Sequence, residues 1–441
     1  MNRFANKFPP EYLANCRNAL NTALRRVAAY RDWNRQYPGP TFQVDEQYAA
    51  LPILTKADIR QHTFDGLIPT GKNRMKGFKK GHIELVKTSG TTDDQVTLIW
   101  NQSWWDASEK ASWKLNSHAS LVATGRHREA IMTSPICTGV ISRSGQLISM
   151  KKRRIGRFLY LNEIVNPADW TVEQLDRMVD ELALFRPVVL EANPTLLARL
   201  AAHINRTGRK VFDPKLIILT YEFPSRVHMR QIMKAFKSPV ASSYGSTESG
   251  YVFMECEAGN FHQNADFCRV DIQPFKKKYH GRRNIGRLLV TTFQNKWFSI
   301  VRFNVGDVVR FLEPGSCPCG RKLGYTAVME GRARDITFGM KGNAVTVKQL
   351  DEAVATLDWV IEYQLEQETS SRYLLRVVSS SPAGRAMERQ AEQVLRGLYG
   401  KGAKVRVKFE KIILPEISGK HRLAKTSFPV DIDSLFKCCK S

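Results

Sequence analysis

Five short segments of this sequence carry side chains of the kind that hold phosphates, metal ions and sugars. Lys87-Thr88-Ser89-Gly90-Thr91-Thr92 sets four hydroxyls and a glycine on one tight loop, whose N–H and O–H groups can wrap phosphate oxygens. Ser243-Tyr244-Gly245-Ser246-Thr247-Glu248 is a second small polar loop, ending in a carboxylate able to hold Mg²⁺ against a triphosphate. Arg302-Phe303-Asn304-Val305-Gly306-Asp307 puts an acid after a glycine at the end of an apolar stretch, where it suits ribose hydroxyls. Gly331-Arg332-Ala333-Arg334-Asp335 adds cations, and Ile417-Ser418-Gly419-Lys420-His421-Arg422 presents a lysine on a glycine-flexed loop. Each is an ordinary turn when taken alone. The specific signal is the set, in this order.

The elements that must position these loops follow from periodicity. Leu13, Cys16, Leu20, Ala23, Leu24 and Val27 recur at helical spacing and predict an amphipathic helix over 10–35. Thr55 can cap a short helix, and strand-like Ile83–Val86 and Val96–Trp100 bracket the Ser/Thr/Gly loop. From about 170 to 310 the pattern alternates: helix Glu173–Phe185, strand Val188–Glu191, helix Pro194–Ile204, strand Lys215–Thr220 and helix Ser225–Phe236. That alternation predicts a parallel α/β core. After Asp335 come a helix at Val347–Leu357, strands at Ile361–Gln367 and Tyr373–Val378, a helix at Pro382–Tyr399 and a basic strand at Lys404–Glu410. The expected fold is therefore α/β, with a large body over 1–334 and a small C-terminal α+β lid over 335–441.

In their order these segments resemble the adenylate-forming superfamily of acyl-CoA ligases, nonribosomal adenylation domains and luciferases. The resemblance runs from about residue 50 to 425. Leu51-Pro-Ile-Leu-Thr-Lys56-Ala-Asp58 and Cys317-Pro318-Cys319-Gly320-Arg321 look like the phenylacetate-CoA ligase-like branch in particular. The resemblance implies two steps: a carboxylate attacks the α-phosphate of ATP to give an acyl-adenylate and pyrophosphate, then a thiol displaces AMP. It implies that Thr88, Ser89, Gly90, Thr91 and Thr92 grip the phosphates and that Glu248 holds Mg²⁺. Thr247 would sit beside the α-phosphate, and Tyr221-Glu222-Phe223 with Tyr244 and Gly245 would form the nucleotide wall. Asp307 and Arg332 would fix the ribose, Lys420 would bridge the carboxylate and α-phosphate oxygens, and a hinge near Arg334 would carry Lys420 away before the thiol approaches. The loop Gly339-Met340-Lys341-Gly342 would line the thiol's route. The acceptor is expected to be coenzyme A or the phosphopantetheine of a carrier protein, and the acid an organic, aromatic one. The same fold also serves enzymes that pass the acyl or adenylyl group to an amine or cofactor. Two departures stand out: Asp93-Asp94 follows the phosphate loop, and Ser134–Arg143 lacks the aromatic, glycine-rich pattern of aryl-acid members.

Cys256, His262, Cys317 and Cys319 are four zinc-type donors, with Cys268 a competitor. From the residues alone they read equally as a structural Cys₃His zinc site or as three reduced cysteines and a surface histidine. The resembled branch carries cysteines and a histidine at matching places, which implies zinc.

Charge and composition bound the alternatives. The 441 residues include 67 Lys+Arg against 42 Asp+Glu, a net charge of +25. The basic runs Lys151-Lys152-Arg153-Arg154 and Lys276-Lys277-Lys278 read either as a surface that steers an acidic acyl carrier protein or as plain solvated surface. A nucleic-acid binder is the rival reading, but no recognisable module is present, and Trp104, Trp105 and Trp113 space as a helix face packed on a core. Gly66-x₄-Gly71-Lys72 has phosphate-loop spacing, but Asn73 stands where a Mg²⁺-binding hydroxyl is required and a poor helix follows. Cys438-Cys439-Lys440-Ser441 lacks the aliphatic residue of a prenylation box, and no Gly-x-Ser-x-Gly elbow occurs. No apolar run approaches the roughly 18–20 residues of a membrane span. Met1–Lys7 has no apolar stretch behind it, so a reducing cytoplasm with sparse free cysteines is the expectation.

Overall fold

A computed structural model describes residues 8–88, 95–123, 125–142, 146–276, 284–416 and 419–437. Ser89, Gly90, Thr91, Thr92, Asp93 and Asp94 lie outside those ranges, as do Lys277, Lys278, Ile417, Ser418, Cys438 and Cys439. The chain forms two compact units: Met1–Ala123 with Ser243–Met329 and Ile432–Ser441, and Thr124–Ser242 with Glu330–Asp431. No described helix is long and apolar enough to cross a membrane.

In the first unit the N-terminal helix is shorter than its periodicity predicts. It spans Tyr12–Arg26, buries Cys16, Leu20, Ala23 and Leu24, then breaks at extended Val27 into a 3₁₀ stretch, Ala28–Arg35. The break serves Tyr30, which is fully buried, donates to the Ser299 carbonyl at 3.0 Å and accepts the Val301 N–H at 3.0 Å. A continuous α-helix would carry that ring elsewhere, so burial outweighs propensity here. Thr55 caps Lys56–His62 reciprocally with Asp58, as its hydroxyl and spacing predict. Glu84–Lys87 and Thr97–Trp100 pair antiparallel with Lys87 opposite Thr97, which fixes both ends of the intervening loop. Asn73 caps a helix over Arg74–Lys79, contrary to the poor helix expected there, but among the described residues no strand precedes Gly66, as a phosphate loop requires. Trp104 and Trp113 are buried on the helix Gln102–Trp113, and the Trp104 indole donates to the Phe293 carbonyl at 2.8 Å.

The unit's sheet is largely antiparallel, in the order Cys268–Pro274, Ile285–Thr292, Phe303–Phe311, Thr326–Arg332, Phe261–Gln263 and Gly250–Glu255. The unit's core gathers Leu20, Tyr30, Leu54, Phe293 and Phe298 with Phe303 of the sheet.

The second unit contains the predicted parallel sheet, with Leu216–Leu219, Val189–Ala192, Glu129–Met132 and Phe158–Tyr160 side by side and parallel. Glu129–Met132 and Phe158–Tyr160 escape sequence reading because four- and three-residue strands carry almost no periodic signal. Helices Val172–Phe185, Pro194–Thr207 and Arg226–Ala235 cover the face formed by Leu190, Ala192, Ile217 and Leu219. Thr171 with Gln174 and Asn193 before Pro194 start the first two of these helices, and Gly208 at φ +68° ends the second.

Residues 330–431 add a four-stranded sheet, in the order Lys404–Phe409, Arg372–Ser379, Val360–Gln367, Ala424–Thr426, with helices Val347–Val354 and Arg385–Tyr399. This α+β segment is fastened to the helices of residues 124–242 by polar contacts. Asp351 accepts from the Ser225 hydroxyl and from the Arg226 N–H at 2.8 Å, and Tyr363 donates to it at 3.0 Å. Arg230 donates to the Ala355 and Val360 carbonyls at 2.9 and 2.6 Å, and Arg199 pairs with Glu362.

One basic run changes meaning. Arg153 is fully buried, paired with Glu181 and near Glu163, and donates to the Ile148 carbonyl at 2.8 Å. The run Lys151–Arg154 is therefore not a four-cation surface. Its third member is a core residue whose charge is matched by carboxylates distant in sequence.

Candidate active site

Within the first unit, three of the five singled-out segments offer described residues. Thr88 is buried; its hydroxyl accepts the Val96 N–H at 3.1 Å and its own N–H donates to the Val96 carbonyl at 3.0 Å. The loop thus springs from a closed hairpin neck. Tyr244 and Asp307 come together: the phenol donates to Asp307 Oδ2 at 2.7 Å. Asp307 follows Gly306, whose φ of +88° lets the strand turn there and whose N–H donates to Asn304 Oδ1 at 2.9 Å.

Strand register shifts between Tyr244 and Gly245, and a Cβ on Gly245 would stand 2.4 Å from the Gly250 carbonyl oxygen. No side chain fits that gap. Gly245→Ala is expected to cost about 1–3 kcal/mol by overpacking, read as a lowered midpoint in denaturant with an unchanged slope.

Thr247 begins the turn that follows and is half-buried, while Glu248 in the same turn is 5% exposed. Glu248 Oε1 lies 3.7 Å from Lys56 Nζ. Lys56 is the residue that sequence reasoning missed. It stands in the Leu51–Asp58 lead-in, which reads only as a capped helix start, and nothing local announces that the first residue of that helix meets a carboxylate 192 positions later. A buried carboxylate with a long ion pair suits a hard cation.

In the second unit, the lysine loop is held by Glu222. Its carboxylate accepts from the Thr195 hydroxyl at 2.9 Å and from the backbone N–H of His421 at 2.8 Å. Burial raises the Glu222 pKa, opposed by hydrogen bonds from Asn193, His421 and Thr195 and by the Lys420 charge. Lys420 is half-buried in a turn closed by Gly419 N–H to Glu416 O and Glu416 N–H to Lys420 O, both 2.8 Å. Gly419 has φ +76°, and a Cβ there would meet Ser134 Oγ at 2.6 Å. The loop therefore seats against Ser134 at the start of the Pro135–Thr138 turn. Burial holds the His421 ring neutral, reinforced by Arg199 and His228 nearby.

Arg332 and Arg334 flank Asp335, a buried carboxylate that accepts from Arg422 Nε at 2.8 Å. Burial raises the Asp335 pKa, and Arg422, Arg332 and Arg334 pull it back. Tyr221 projects from the end of Leu216–Leu219 with φ +77° and donates from its hydroxyl to Glu191.

The four metal-type donors converge in the first unit. Ligand atoms of Cys256, His262, Cys317 and Cys319 all lie within 4.8 Å of one another. Four of their separations are 3.6 Å (Cys256–Cys317), 3.4 Å (His262–Cys317), 3.4 Å (Cys317–Cys319) and 3.2 Å (Cys319–His262). A tetrahedral ion bound at ordinary Zn–S and Zn–N lengths needs edges of roughly 3.5–3.8 Å, so the donor set fits such an ion after small adjustments. Cys268 is not part of it: its thiol is fully buried against the Asn264 carbonyl at 3.4 Å.

The chain has the fold of the adenylate-forming ligases. It superposes on 2-hydroxyisobutyryl-CoA ligase, solved in the postadenylation state in complex with R3-HIB-AMP, with a TM-score of 0.67 at 16% identity, over 93% of this chain and 88% of that one. An anthranilate CoA ligase in complex with anthranoyl-AMP gives 0.51 at 13% identity, over 77% and 65%. Among curated sequences, Protein CapK of Staphylococcus aureus is 25% identical over 85% of this chain and 79% of its own length. Fumarate--(S)-2,3-diaminopropanoate ligase of Enterobacter agglomerans is 27% identical over 59% of this chain and 60% of its own. No protein-family model matches the chain.

Proposed function

We propose that this protein is an ATP-dependent carboxylate ligase, which activates an organic acid as its acyl-adenylate and transfers the acyl group to a thiol, coenzyme A or phosphopantetheine. The observation that carries the reading is the Tyr244–Asp307 hydrogen bond, with buried Glu248 in the adjoining turn: two motifs 63 residues apart meet as a nucleotide wall requires. Asp307 is the ribose acceptor, with Arg332 beside it in role. Ser89, Gly90, Thr91 and Thr92, in the loop whose neck Thr88 closes, receive the phosphates. Tyr221, Glu222, Tyr244 and Gly245 form the adenine and ribose surroundings, and Thr247 faces the α-phosphate. Glu248 holds Mg²⁺, which when bound neutralises phosphate charge. Lys56, already at Glu248, adds positive charge to the same phosphates.

In the first step an acid carboxylate oxygen attacks the α-phosphorus and pyrophosphate leaves with the P–O electron pair. Lys420 stabilises the negative charge that grows on the α-phosphate oxygens and holds the carboxylate in line. In the second step a thiolate adds to the acyl carbonyl and AMP departs. Lys420 has no part in that step, which suits a lid over 335–441 turning at Arg334. The sequence signs of the phenylacetate-CoA ligase-like branch support placing the chain there, and Cys256, His262, Cys317 and Cys319 are assigned to a structural zinc ion, since a closed set of four protein donors leaves no open position.

A second reading passes the adenylate to an amine, favoured by the relative named as a ligase of fumarate and diaminopropanoate. Pyrophosphate release across a panel of acids, run with coenzyme A, a pantetheinylated carrier or an amine as acceptor, tests both. Acid-dependent AMP and pyrophosphate are expected, and thioester product favours the first reading over the second. Absence of both products with every acid would defeat the ligase assignment.

A further inference from the structure

At the carboxyl end of the strand Val189–Ala192 stands a carboxylate that no cation neutralises. Glu191 accepts a hydrogen bond from the Tyr221 hydroxyl, and no lysine, arginine or histidine pairs with it among the described residues. Glu129 on the adjacent strand makes the contrast. Its carboxylate pairs with His127 at 3.0 Å and Arg157 at 3.2 Å. Strand register puts Glu191 opposite Ile131 and Ile131 opposite Tyr160, so Tyr160 and Glu191 stand on one face of the sheet. The helices cover the other face, through Leu190 and Ala192. Glu191 is half-buried, and its surroundings desolvate it enough to push its pKa up to about 7, with Glu129 adding to the rise.

Leaving a desolvated carboxylate uncompensated is costly, and such groups concentrate where a ligand supplies the missing charge. The position agrees: in open α/β sheets ligands bind outside the carboxyl ends of parallel strands. Tyr221 adds to the case because a bulky residue at φ +77° is a backbone outlier. Its strained turn carries the phenol to one oxygen of Glu191, where it orients the carboxylate.

We infer that Glu191, oriented by Tyr221, is the anionic anchor for an ammonium group on the acid this enzyme activates, so that its substrate is an amino-substituted carboxylic acid rather than a neutral or dicarboxylic one. The inference rests on the ligase reading above and adds the substrate class. An ammonium at Glu191 forms a charge-assisted hydrogen bond in a desolvated setting, and a neutral isostere leaves the carboxylate unpaired.

Matched acids test this: β-alanine against butanoate, and 4-(aminomethyl)benzoate against 4-ethylbenzoate, assayed by ATP-dependent pyrophosphate release and by calorimetric binding in the absence of ATP. The cationic member of the better pair is expected to lead by about 10-fold or more in kcat/KM and in affinity. Glu191→Gln keeps the partner for Tyr221 but removes the charge, and should erase that lead; Glu191→Asp should restore part of it. Equal use of the neutral isosteres, or a lead that persists in Glu191→Gln, overturns the inference. If no acid releases pyrophosphate the ligase reading fails on its own, and the binding arm still decides the cation assignment: a preference for the ammonium member that Glu191→Gln abolishes upholds it, and no preference rejects it.

Discussion

Replacing Lys420 by alanine is expected to slow acyl-adenylate formation by about 10²–10³-fold or more, the loss seen when one preorganised charge or donor is removed from a developing anion. The effect should fall on one half-reaction. Pyrophosphate exchange reports the first step, and thioester formation from chemically supplied acyl-adenylate reports the second; the second should stay within a few-fold of wild type. The Lys420 loop is held in part by backbone groups: the Glu416–Lys420 turn bonds, Gly419 against Ser134, and the neighbouring His421 N–H on Glu222. These contacts do not use the ammonium and are expected to persist in the variant. Loss of both half-reactions in a folded variant, or of neither, would contradict the role assigned to this lysine.

The second large effect is expected at Cys317. Its sulfur is the hub of the cluster, 3.6 Å from Cys256, 3.4 Å from His262 and 3.4 Å from Cys319. Asn260 Nδ2 also donates toward it at 3.4 Å, a contact suited to a thiolate. Cys317→Ser replaces a soft donor by a hard, neutral one and should leave the purified protein with less than stoichiometric zinc. Loss of a structural metal belongs to the small group of changes that exceed the usual 0.5–3 kcal/mol, so a destabilisation of about 3 kcal/mol or more is expected, roughly 6–12 °C in Tm for a unit of this size. Prolonged chelation of the wild type should reproduce it, whereas Cys268→Ser should retain the metal. Full metal content and unchanged Tm in Cys317→Ser would remove the assignment.

Much of the fold was legible because its signals are local. Capping pairs such as Thr171 with Gln174 and the apolar runs of Leu216–Leu219 announce themselves within a few residues. The motif residues stand out in kind and order for the same reason, and their roles are those proposed above. What was not legible depends on distant partners. Lys56 reads as a helix-start lysine until Glu248 is brought to it, and Arg153 reads as surface until Glu163 and Glu181 surround it. Glu191 lay inside a predicted strand, but only the sheet register reveals that it lies beside the strand of Glu129, which holds Arg157. The helix predicted over 10–35 failed at Val27 because Tyr30 answers to Ser299 and Val301, residues no window around it contains. The four metal-type donors could be named from the sequence but left two readings open, and excluding Cys268 required knowing where its thiol is buried.

The spacing of the metal donors bears on the order in which this chain assembles. Cys256 directly follows the strand Gly250–Glu255 and His262 lies on the strand paired with it, but Cys317 lies 55 residues beyond His262, and the strands Ile285–Thr292 and Phe303–Phe311 lie between them in sequence. Closing so long a loop is slow, and it is done before the four donors can meet. A zinc ion assigned to these donors would bind only after that closure, and an interaction made after the transition state acts on the unfolding rate, so it would bear on how long the molecule remains native rather than on how fast it gets there. For this protein, zinc availability would set lifetime rather than yield.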